Sequence, residues 1–180
     1  MKNGVILAAL LSLAGCNQGT ATHEAASAPG TQSDSAQFIA RNLAKFDTLD
    51  YDVFSHQQWD RLKESHAQDI VVTWPDGHET RGIEKHIEDL KAMFVYAPDI
   101  QIKEHPIRIG NGSWTAVAGF MTGTFSEPMP MPDGTSIPPT GKTFRLPMAT
   151  LGHWTEDGVM DHEWLFWDNQ TFMKQIGLAK

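Results

Sequence analysis

The segment that most constrains the fold is the carboxyl-terminal one, where a tight turn leads into a strand and then a short helix. Asp157 and Gly158 predict a hairpin turn, because glycine readily adopts the positive φ angle that such turns require. By the two-residue period of a strand, one face of the segment that follows is formed by four residues: His162, Trp164, Phe166 and Asp168. Two aromatic rings between two proton-exchanging groups are suited to line a cavity for an apolar, carbonyl-bearing small molecule.

The segments before this strand predict helices followed by a mostly antiparallel sheet, which is an α+β pattern. Apolar spacing predicts helices over residues 38–49, 55–67 and 82–96. Strands are predicted over residues 69–74, 100–109, 114–125, 142–154 and 159–168. The apolar parity of the second strand changes after His105, which predicts a bulge or a bend at that point. Residues 36–180 are therefore expected to form one domain with a single core.

A connection rich in proline and methionine, residues 127–140, separates the third and fourth predicted strands. Its prolines exclude a regular helix or strand interior. Long connections of this kind often act as lids, and methionine side chains adapt to varied apolar ligands. A plain hairpin connection and a dimer contact are equally compatible with the sequence.

The amino-terminal residues are typical of a secretory signal. Lys2 precedes an apolar run over residues 5–13, which is shorter than the roughly 20 apolar residues of a membrane-spanning helix. The run ends in Leu-Ala-Gly-Cys, which resembles the lipoprotein box that bacteria cleave before a lipidated cysteine. Residues 1–15 are therefore expected to be a lipoprotein signal peptide, Cys16 the lipidation site and residues 16–35 a flexible tether. The alternative is a plain signal peptide with an incidental cysteine.

These features predict a location and restrict the partners. A lipid-anchored chain is expected in the cell envelope on the periplasmic side, and Asn17 is typical of sorting to the outer membrane. The net charge is −8 and lysine and arginine do not cluster, which argues against nucleic acid as a partner. The same acidity gives no attraction to anionic lipid, so the membrane link is expected to be the lipid anchor alone. Cys16 is the only cysteine and has no partner for an internal disulfide.

Three short motifs near the carboxyl end resemble the SnoaL-like polyketide cyclase and ester cyclase family, within the nuclear transport factor 2-like superfamily. They are the Asp-Gly turn at residues 157–158, the W-x-x-x-D pattern of Trp164 and Asp168, and the Q-x-G pattern of Gln175 and Gly177. The resemblance implies a cone-shaped, curved, mostly antiparallel sheet packed on N-terminal helices, with an apolar pocket inside. It also implies that a homodimer can form through the outer face of the sheet.

The primary catalytic candidates are His162 and Asp168, because a histidine or a buried carboxylate can act as a general base. The sequence is equally compatible with two structural roles. Asp168 could cap the closing helix, and His162 could be an interior histidine whose ring nitrogens only make structural hydrogen bonds. Asp161 and Glu163 are expected on the opposite, solvated face of the strand. The expected substrate pocket comprises Trp74, His78, His86, Met148, Trp164 and Phe166. The alternative is that the two histidines of this set lie on the surface and that the other residues are ordinary core side chains.

The resemblance also bears on these candidates. It implies a carboxylate acid/base with an assisting histidine on the neighbouring strand, and an ungapped match puts these at His162 and Met148. Neither identity is kept, and a methionine cannot titrate. The aldol ring closure of the family is therefore not implied for this chain, whereas a related acid/base reaction or binding alone stays open.

The sequence predicts neither a metal nor a cofactor. It has no H-x-x-x-H motif, no second cysteine and no Asp-rich calcium loop, and Glu84 and His86 are too close in sequence to share one helical face. The leading hypothesis is a cofactor-free acid/base enzyme that acts on a hydrophobic small molecule bearing a carbonyl or an ester. The alternative is a non-catalytic envelope lipoprotein that binds a hydrophobic ligand.

Overall fold

The computed structural model describes residues 29–180. The predicted signal peptide, the predicted lipidation site at Cys16 and the first part of the predicted tether lie outside these residues. The first helix begins at Pro29, inside the stretch that was expected to be tether. Within the described part of the chain, no helix is both long and apolar enough to cross a membrane.

Helical segments precede the sheet, interrupt it once and close the chain. The helical elements are α1 (Pro29–Thr48), a π-helical segment (Leu49–Phe54), a 3₁₀ helix (Trp59–Glu64), α2 (Ile83–Tyr96) and α3 (Asn169–Gln175). Helix α1 runs directly into the π-helical segment. The 3₁₀ helix stands where a full helix was predicted over residues 55–67, and Leu62 is its buried residue. Such short, tight helices commonly serve as connectors.

The strands form one large sheet and one small hairpin. They are β1 (His66–Thr73), β2 (Glu79–Arg81), β3 (Gln101–Ile102), β4 (Ile107–Asn111), β5 (Trp114–Thr124), β6 (Met129–Pro130), β7 (Ser136–Ile137), β8 (Thr143–Trp154) and β9 (Met160–Trp167). The large sheet has the order β2-β1-β9-β8-β5-β3, with β4 also paired to β5. Its neighbours are antiparallel except β1 and β9, so the predicted α+β class with a mostly antiparallel sheet is confirmed.

Two predictions about connections are borne out by the structure. The break predicted after His105 is confirmed, because the chain there leaves β3 and resumes as β4. The prediction that prolines exclude a regular strand interior from residues 127–140 is also confirmed, because β6 and β7, which pair there, have only two residues each. Proline at the end of such a short edge strand removes no internal ladder hydrogen bond.

One face of the large sheet packs on the helices and forms the core; we call it the inner face. Every second residue of β5 and β8 is buried on this face. Phe46 of α1 and Leu90 of α2 pack there with Leu146 and Trp154 of β8. Full burial of a large apolar side chain contributes roughly 1.5–3 kcal/mol. The indole N–H of Trp154 donates to Thr115 Oγ1 over 2.7 Å, so this buried donor is satisfied.

The turn before β9 has the predicted form. Gly158 has a φ angle of 74°, a conformation that favours glycine. Its N–H donates to the carbonyl oxygen of Thr155 over 2.9 Å. The ammonium group of Lys45 in α1 donates to the Gly158 carbonyl, which attaches the turn to the first helix.

A β-bulge directly after this turn decides which residues of β9 face the core. One step along β8, from His153 to Trp154, matches two steps along β9, from His162 to Met160. The extra residue is Asp161, and an extra residue shifts the alternation of side chains. Met160 is fully buried, and beyond the bulge the odd-numbered residues line the interior.

Candidate functional site

A cavity of about 50 Å³ lies between the inner face of the sheet, α2 and the π-helical segment; we call it the inner cavity. Most of its lining is apolar and includes Leu90, Met121 and Leu165. Its polar lining comes from five buried residues: Asp50, His66, His86, Thr150 and Glu163. A mostly apolar cavity with a few convergent polar groups is the usual form of a small-molecule site.

Glu163 of β9 lies between two histidines from other elements, His66 at the start of β1 and His86 of α2. Its Oε2 atom is 3.5 Å from His66 Nε2 and 3.4 Å from His86 Nε2. All three residues are at most 4% exposed. The parallel pairing of β1 with β9, with a register shift after His66, brings that histidine to Glu163. We call these three residues the His–Glu–His cluster.

The ring of His66 is held from behind. Its Nδ1 atom is 3.2 Å from the carbonyl oxygen of Leu62 and 2.9 Å from Ser65 Oγ. A carbonyl oxygen can only accept and a hydroxyl can donate or accept, so these two contacts hold the ring in place in either tautomer. The other ring nitrogen, Nε2, is directed toward Glu163.

Burial and mutual charge set the protonation states in the cluster. Burial lowers the pKa of His86 to about 4, although the charge of Glu163 acts in the opposite direction. Burial also acts to raise the pKa of Glu163, but its interactions with His66 and His86 outweigh this and hold its pKa below the ordinary 4.5. At neutral pH, Glu163 is therefore ionised and His86 is neutral.

A second carboxylate, Asp50 of the π-helical segment, lines the same cavity. His105 Nε2 donates to Asp50 Oδ2 over 2.8 Å, and His105 Nδ1 donates to Asp47 Oδ1 over 2.9 Å. Both ring nitrogens thus act as donors, as they do in a protonated imidazole. Arg108 pairs with Asp47 Oδ2 at 2.8 Å, so the series of contacts ends at a partly exposed cation.

The pKa values of Asp50 and His105 both lie above their ordinary ones. Burial raises the pKa of Asp50, and its hydrogen bond and charge interaction with His105 only partly offset this. Burial acts to lower the pKa of His105, but the hydrogen bonds and charges of Asp50 and Asp47 prevail and raise it. A carboxylate with a raised pKa accepts a proton more readily than an ordinary exposed one.

A second cavity of about 100 Å³ adjoins the inner cavity and has a largely aromatic lining; we call it the aromatic cavity. Met93, Met121 and Trp167 line both cavities and form the partition between them. Trp74, one of the predicted pocket residues, lines the aromatic cavity, and its indole N–H donates to Thr80 Oγ1 over 3.0 Å.

Two further predicted pocket residues line the inner cavity. His86 is buried against the sheet and belongs to the His–Glu–His cluster, so the alternative of a surface-helix histidine is wrong. Met148 points inward because it occupies a buried position in the alternation of β8. Their part in binding a substrate stays a prediction.

The expectation that His162, Trp164 and Phe166 face the interior is wrong. They share one face, as predicted, but the bulge at Asp161 turns that face to the outside of the sheet. Phe166 is 49% exposed, and the side chain of His162 is 44% exposed. The rings of His162 and Trp164 stack on each other with centroids 5.4 Å apart. The converse expectation, a solvated Glu163, is wrong for the same reason.

Asp168 and His78 also lie away from the inner cavity. Asp168 Oδ1 accepts from the backbone N–H groups of Gln170 at 2.8 Å and Thr171 at 3.2 Å. This confirms the alternative that Asp168 caps α3. His78 lies on an exposed turn, where its ring stacks on Trp74 with centroids 5.9 Å apart.

Four residues of the site were not predicted as such: Asp50, His66, His105 and Glu163. Asp50 lay between two predicted helices, and His66 preceded the predicted start of its strand. Glu163 was assigned to the wrong face. The break in apolar parity at His105 was the one local signal, since it marked a residue that departs from the regular strand pattern.

Comparison with known families agrees with this fold. A family model described as SnoaL-like polyketide cyclase matches residues 44–176. The chain therefore belongs to the SnoaL-like polyketide cyclase family. The matched span includes every strand of the large sheet and all residues of the His–Glu–His cluster.

Solved structures with a similar fold come from several bacteria. A protein described as a SnoaL-like polyketide cyclase from Jannaschia sp. CCS1 is 19% identical, with 78% of this chain and 94% of that chain covered and a TM-score of 0.67. IdmH from Streptomyces antibioticus, described as a polyketide cyclase, is 22% identical, with coverages of 79% and 98% and a TM-score of 0.61. A protein described as a polyketide cyclase from Xanthomonas campestris pv. campestris is 17% identical, with coverages of 78% and 99% and a TM-score of 0.65. Identities this low show the fold alone, and the search of curated proteins found no match.

Proposed function

We propose that the protein is a cyclase-type enzyme that removes a proton from a hydrophobic, carbonyl-bearing small molecule in the inner cavity. Membership of the SnoaL-like family supports a cyclase-type function. One observation carries the proposal: a mostly apolar cavity holds Asp50, a carboxylate of raised pKa, together with the His–Glu–His cluster. An apolar lining with few polar groups suits a substrate that has a hydrocarbon frame and one or two carbonyls.

Asp50 is the general base in this proposal. It would accept a proton from the carbon next to a carbonyl, and its raised pKa strengthens it as an acceptor. The electrons of the broken C–H bond form an enolate, which attacks a second carbonyl of the same molecule and closes a ring through a new C–C bond. Asp50 then returns its proton to the alkoxide that ring closure produces, so the enzyme ends in its starting state.

His105 is a positioning residue for Asp50. The two carboxylates of Asp47 and Asp50 hold its ring at 2.9 Å and 2.8 Å, which fixes the ring in the buried space behind the cavity. The ring in turn fixes Asp50 through Oδ2. In this proposal, Oδ1 is the oxygen that accepts the substrate proton. Tyr51 packs on the same imidazole with ring centroids 4.8 Å apart.

The His–Glu–His cluster is the proposed binding point for the substrate oxygen. Negative charge develops on that oxygen as the enolate forms, and fixed positive or donor groups stabilise it where water is excluded. Glu163 is itself ionised in this cluster. The cluster therefore stabilises a second anionic oxygen only if it also holds a compensating positive charge, a proton or a metal ion.

The size of the cavities restricts how a substrate binds. The inner cavity of about 50 Å³ accepts only a small fragment, whereas pockets for drug-sized ligands measure roughly 300–1,000 Å³. Rotation of Met93, Met121 and Trp167 would join it to the aromatic cavity of about 100 Å³. Methionine side chains repack readily. We expect the reacting carbonyl in the inner cavity and the apolar part of the substrate in the aromatic cavity.

Exchange of α-protons in D₂O tests the proposal without the natural substrate. Aryl methyl ketones and cyclic ketones of increasing size serve as probes, and NMR follows the loss of the α-proton signal. We expect the wild-type protein to accelerate exchange of at least one ketone, and Asp50→Asn to reduce that rate roughly 10²- to 10⁴-fold. Asp161→Asn, the same change on the outer face, is the matched control and should keep the rate. No exchange above background, or equal rates in wild type and Asp50→Asn, would refute the proposal.

A non-catalytic lipoprotein that binds a hydrophobic ligand is the second candidate. Met148 favours it, because it lines the inner cavity at the position where the family resemblance implies an assisting histidine. Melting temperatures measured with the same ketones separate the two functions. A carrier would be stabilised by ketones equally in wild type and in Asp50→Asn, and neither protein would accelerate exchange.

We further propose that lipid on Cys16 anchors the chain to the cell envelope, on the periplasmic side. The Leu-Ala-Gly-Cys motif supports this proposal. Cys16→Ser is expected to abolish labelling by a radioactive fatty acid and to release the protein into the soluble fraction; a labelled variant would contradict it. The homodimer through the outer sheet face also stays a prediction, and a molecular mass that is independent of protein concentration and equal to one chain would exclude it.

A further inference from the structure

The His–Glu–His cluster contains buried polar atoms that lack hydrogen-bond partners among the described residues. Two of them, His66 Nε2 and Glu163 Oε2, lie 3.5 Å apart. Buried polar groups in proteins are nearly always paired, with protein, with water or with a bound ion. Two unpaired polar atoms this close together are therefore candidates for binding a common ligand.

Two of the separations in the cluster are close to those between ligands of one tetrahedral metal ion. A charge-assisted N–H···O hydrogen bond measures roughly 2.7–2.9 Å. Two atoms that are each about 2.0–2.1 Å from a tetrahedral zinc ion lie roughly 3.3–3.4 Å from each other. The distances from Glu163 Oε2 are 3.5 Å to His66 Nε2 and 3.4 Å to His86 Nε2. One ligand atom from each of the three residues lies within 4.8 Å of the other two.

The ring of His66 is oriented as a metal ligand. In the tautomer whose Nδ1–H donates to the carbonyl oxygen of Leu62, 3.2 Å away, the Nε2 lone pair is directed at the carboxylate of Glu163. In that tautomer, a cation between the two atoms would relieve the repulsion between the lone pair and the carboxylate. Histidines that ligate metals typically donate their other ring N–H to a backbone carbonyl or a carboxylate in this way.

The kinds of donor atoms indicate which metal fits. Two imidazole nitrogens and one carboxylate oxygen form a common ligand set of catalytic zinc ions, which keep the fourth position for water or substrate. Calcium and magnesium prefer oxygen ligands throughout. All three ligand residues line the inner cavity, so the remaining position is directed into it.

We propose that His66, His86 and Glu163 bind one Zn²⁺ ion whose fourth position opens into the inner cavity. The ion supplies the positive charge needed to hold a substrate oxygen near Asp50. No short-spacing motif reveals this site, because its ligands come from β1, α2 and β9.

Zinc binding to the full chain, purified without a histidine tag and stripped with a chelator, tests the proposal. Titration calorimetry should show one Zn²⁺ per chain with a Kd tighter than about 1 μM. Zinc should also raise the melting temperature of the wild-type protein. Glu163→Gln and His86→Gln are each expected to weaken binding roughly 100-fold or more, because each removes a ligand. Co²⁺ in the wild-type site should give the intense visible absorption of tetrahedral coordination.

His162→Gln is the matched control, since it removes a histidine from the outer face of the same strand, beside Asp161. It should bind zinc as the wild type does. Circular dichroism without zinc shows whether each variant folds, and His86→Gln replaces Glu163→Gln if the latter does not. A wild-type Kd weaker than about 1 μM, or wild-type affinity in folded Glu163→Gln and His86→Gln, would overturn the proposal.

The zinc proposal and the cyclase proposal can fail separately, because zinc binding is measured without a substrate. Zinc binding by a protein that exchanges no ketone α-protons would support the metal site and refute the cyclase function. The opposite result is ketone exchange that depends on Asp50 and persists in chelator-treated protein without measurable zinc affinity. It would support the cyclase function and refute the metal site.

Discussion

The two faces of β9 carry similar side chains in opposite surroundings. On the outer face, an imidazole and two aromatic rings meet solvent: His162, Trp164 and Phe166. On the inner face, a carboxylate, an aliphatic chain and an aromatic ring line the cavity: Glu163, Leu165 and Trp167. Burial therefore decides which face can do chemistry, since charge interactions are strong only where water is excluded.

Each face also holds two histidines around one carboxylate. On the outer face, Asp161 Oδ1 is 2.6 Å from His153 Nδ1 and 3.4 Å from His162 Nδ1, and the side chain of Asp161 is 37% exposed. On the inner face, the side chain of Glu163 is 5% exposed. Exposed ion pairs contribute roughly 0–1 kcal/mol and are screened by salt. Two histidines and a carboxylate thus form an ordinary surface contact on the outer face and a candidate site on the inner face.

The largest expected difference between the faces is in catalysis. Glu163→Gln should reduce kcat/KM for ketone α-proton exchange roughly 10²- to 10³-fold, because it disrupts the group that stabilises the enolate oxygen. His162→Gln, one residue away, should leave kcat/KM nearly unchanged, as surface substitutions usually do. Loss of exchange in His162→Gln with normal exchange in Glu163→Gln would move the chemistry to the outer face.

The next difference is in stability. Met160 is fully buried on the inner face, whereas Phe166 is half exposed on the outer face. Met160→Ala should lower the free energy of unfolding by about 2–5 kcal/mol through lost packing and a cavity. Phe166→Ala should lower it by less than about 1 kcal/mol. Urea unfolding measures both, and equal losses would show that the outer face is covered in solution.

A tryptophan on each face provides a sharper comparison of substrate binding. Trp167 belongs to the partition between the two cavities, and Trp164 lies outside. Trp167→Ala should join the cavities and lower the KM of bulkier ketones relative to that of small ones. Trp164→Ala should leave the ratio of the two KM values unchanged. A shift of this ratio in Trp164→Ala alone would place the substrate on the outer face.

The smallest expected effect concerns Asp168, the cap of α3. Hydrogen bonds from Thr171 and Gln170 lower the pKa of Asp168 below its ordinary 3.8. Because the folded-state pKa is depressed, the contribution to stability is present above the unfolded-state pKa and is lost as pH falls through the folded one. Asp168→Ala should slightly lower the urea midpoint at neutral pH and leave ketone exchange unchanged. The midpoints of variant and wild type should converge in acid; a constant gap would mean that the cap does not depend on the ionised carboxylate.

Much of the fold was predictable because it follows from local periodicity. The spacing of apolar residues placed α2, β5 and β8 within a few residues of their observed bounds. The turn at residues 157–158 and the motif residues Trp164 and Gln175 indicated the family, which the family model confirms. Capping by Asp168 was also predictable as an alternative, because it depends only on the residues that follow it.

The site was less predictable because it depends on backbone register and on distant elements. Both faces of β9 are rich in aromatic and apolar residues, so alternation alone does not indicate which face is buried. The bulge at Asp161 decides this, and a bulge depends on pairing with β8. The partners of Glu163, His66 and His86, lie on other elements, and no spacing rule connects them.

A crystal structure with a hydrophobic ketone bound would be the most direct test of the central claim that the inner face of β9 bears the site. We expect the ketone oxygen at the His–Glu–His cluster and the adjacent carbon within reach of Asp50. A ketone bound instead against Trp164 and Phe166, with the inner cavity filled by protein side chains, would contradict the claim.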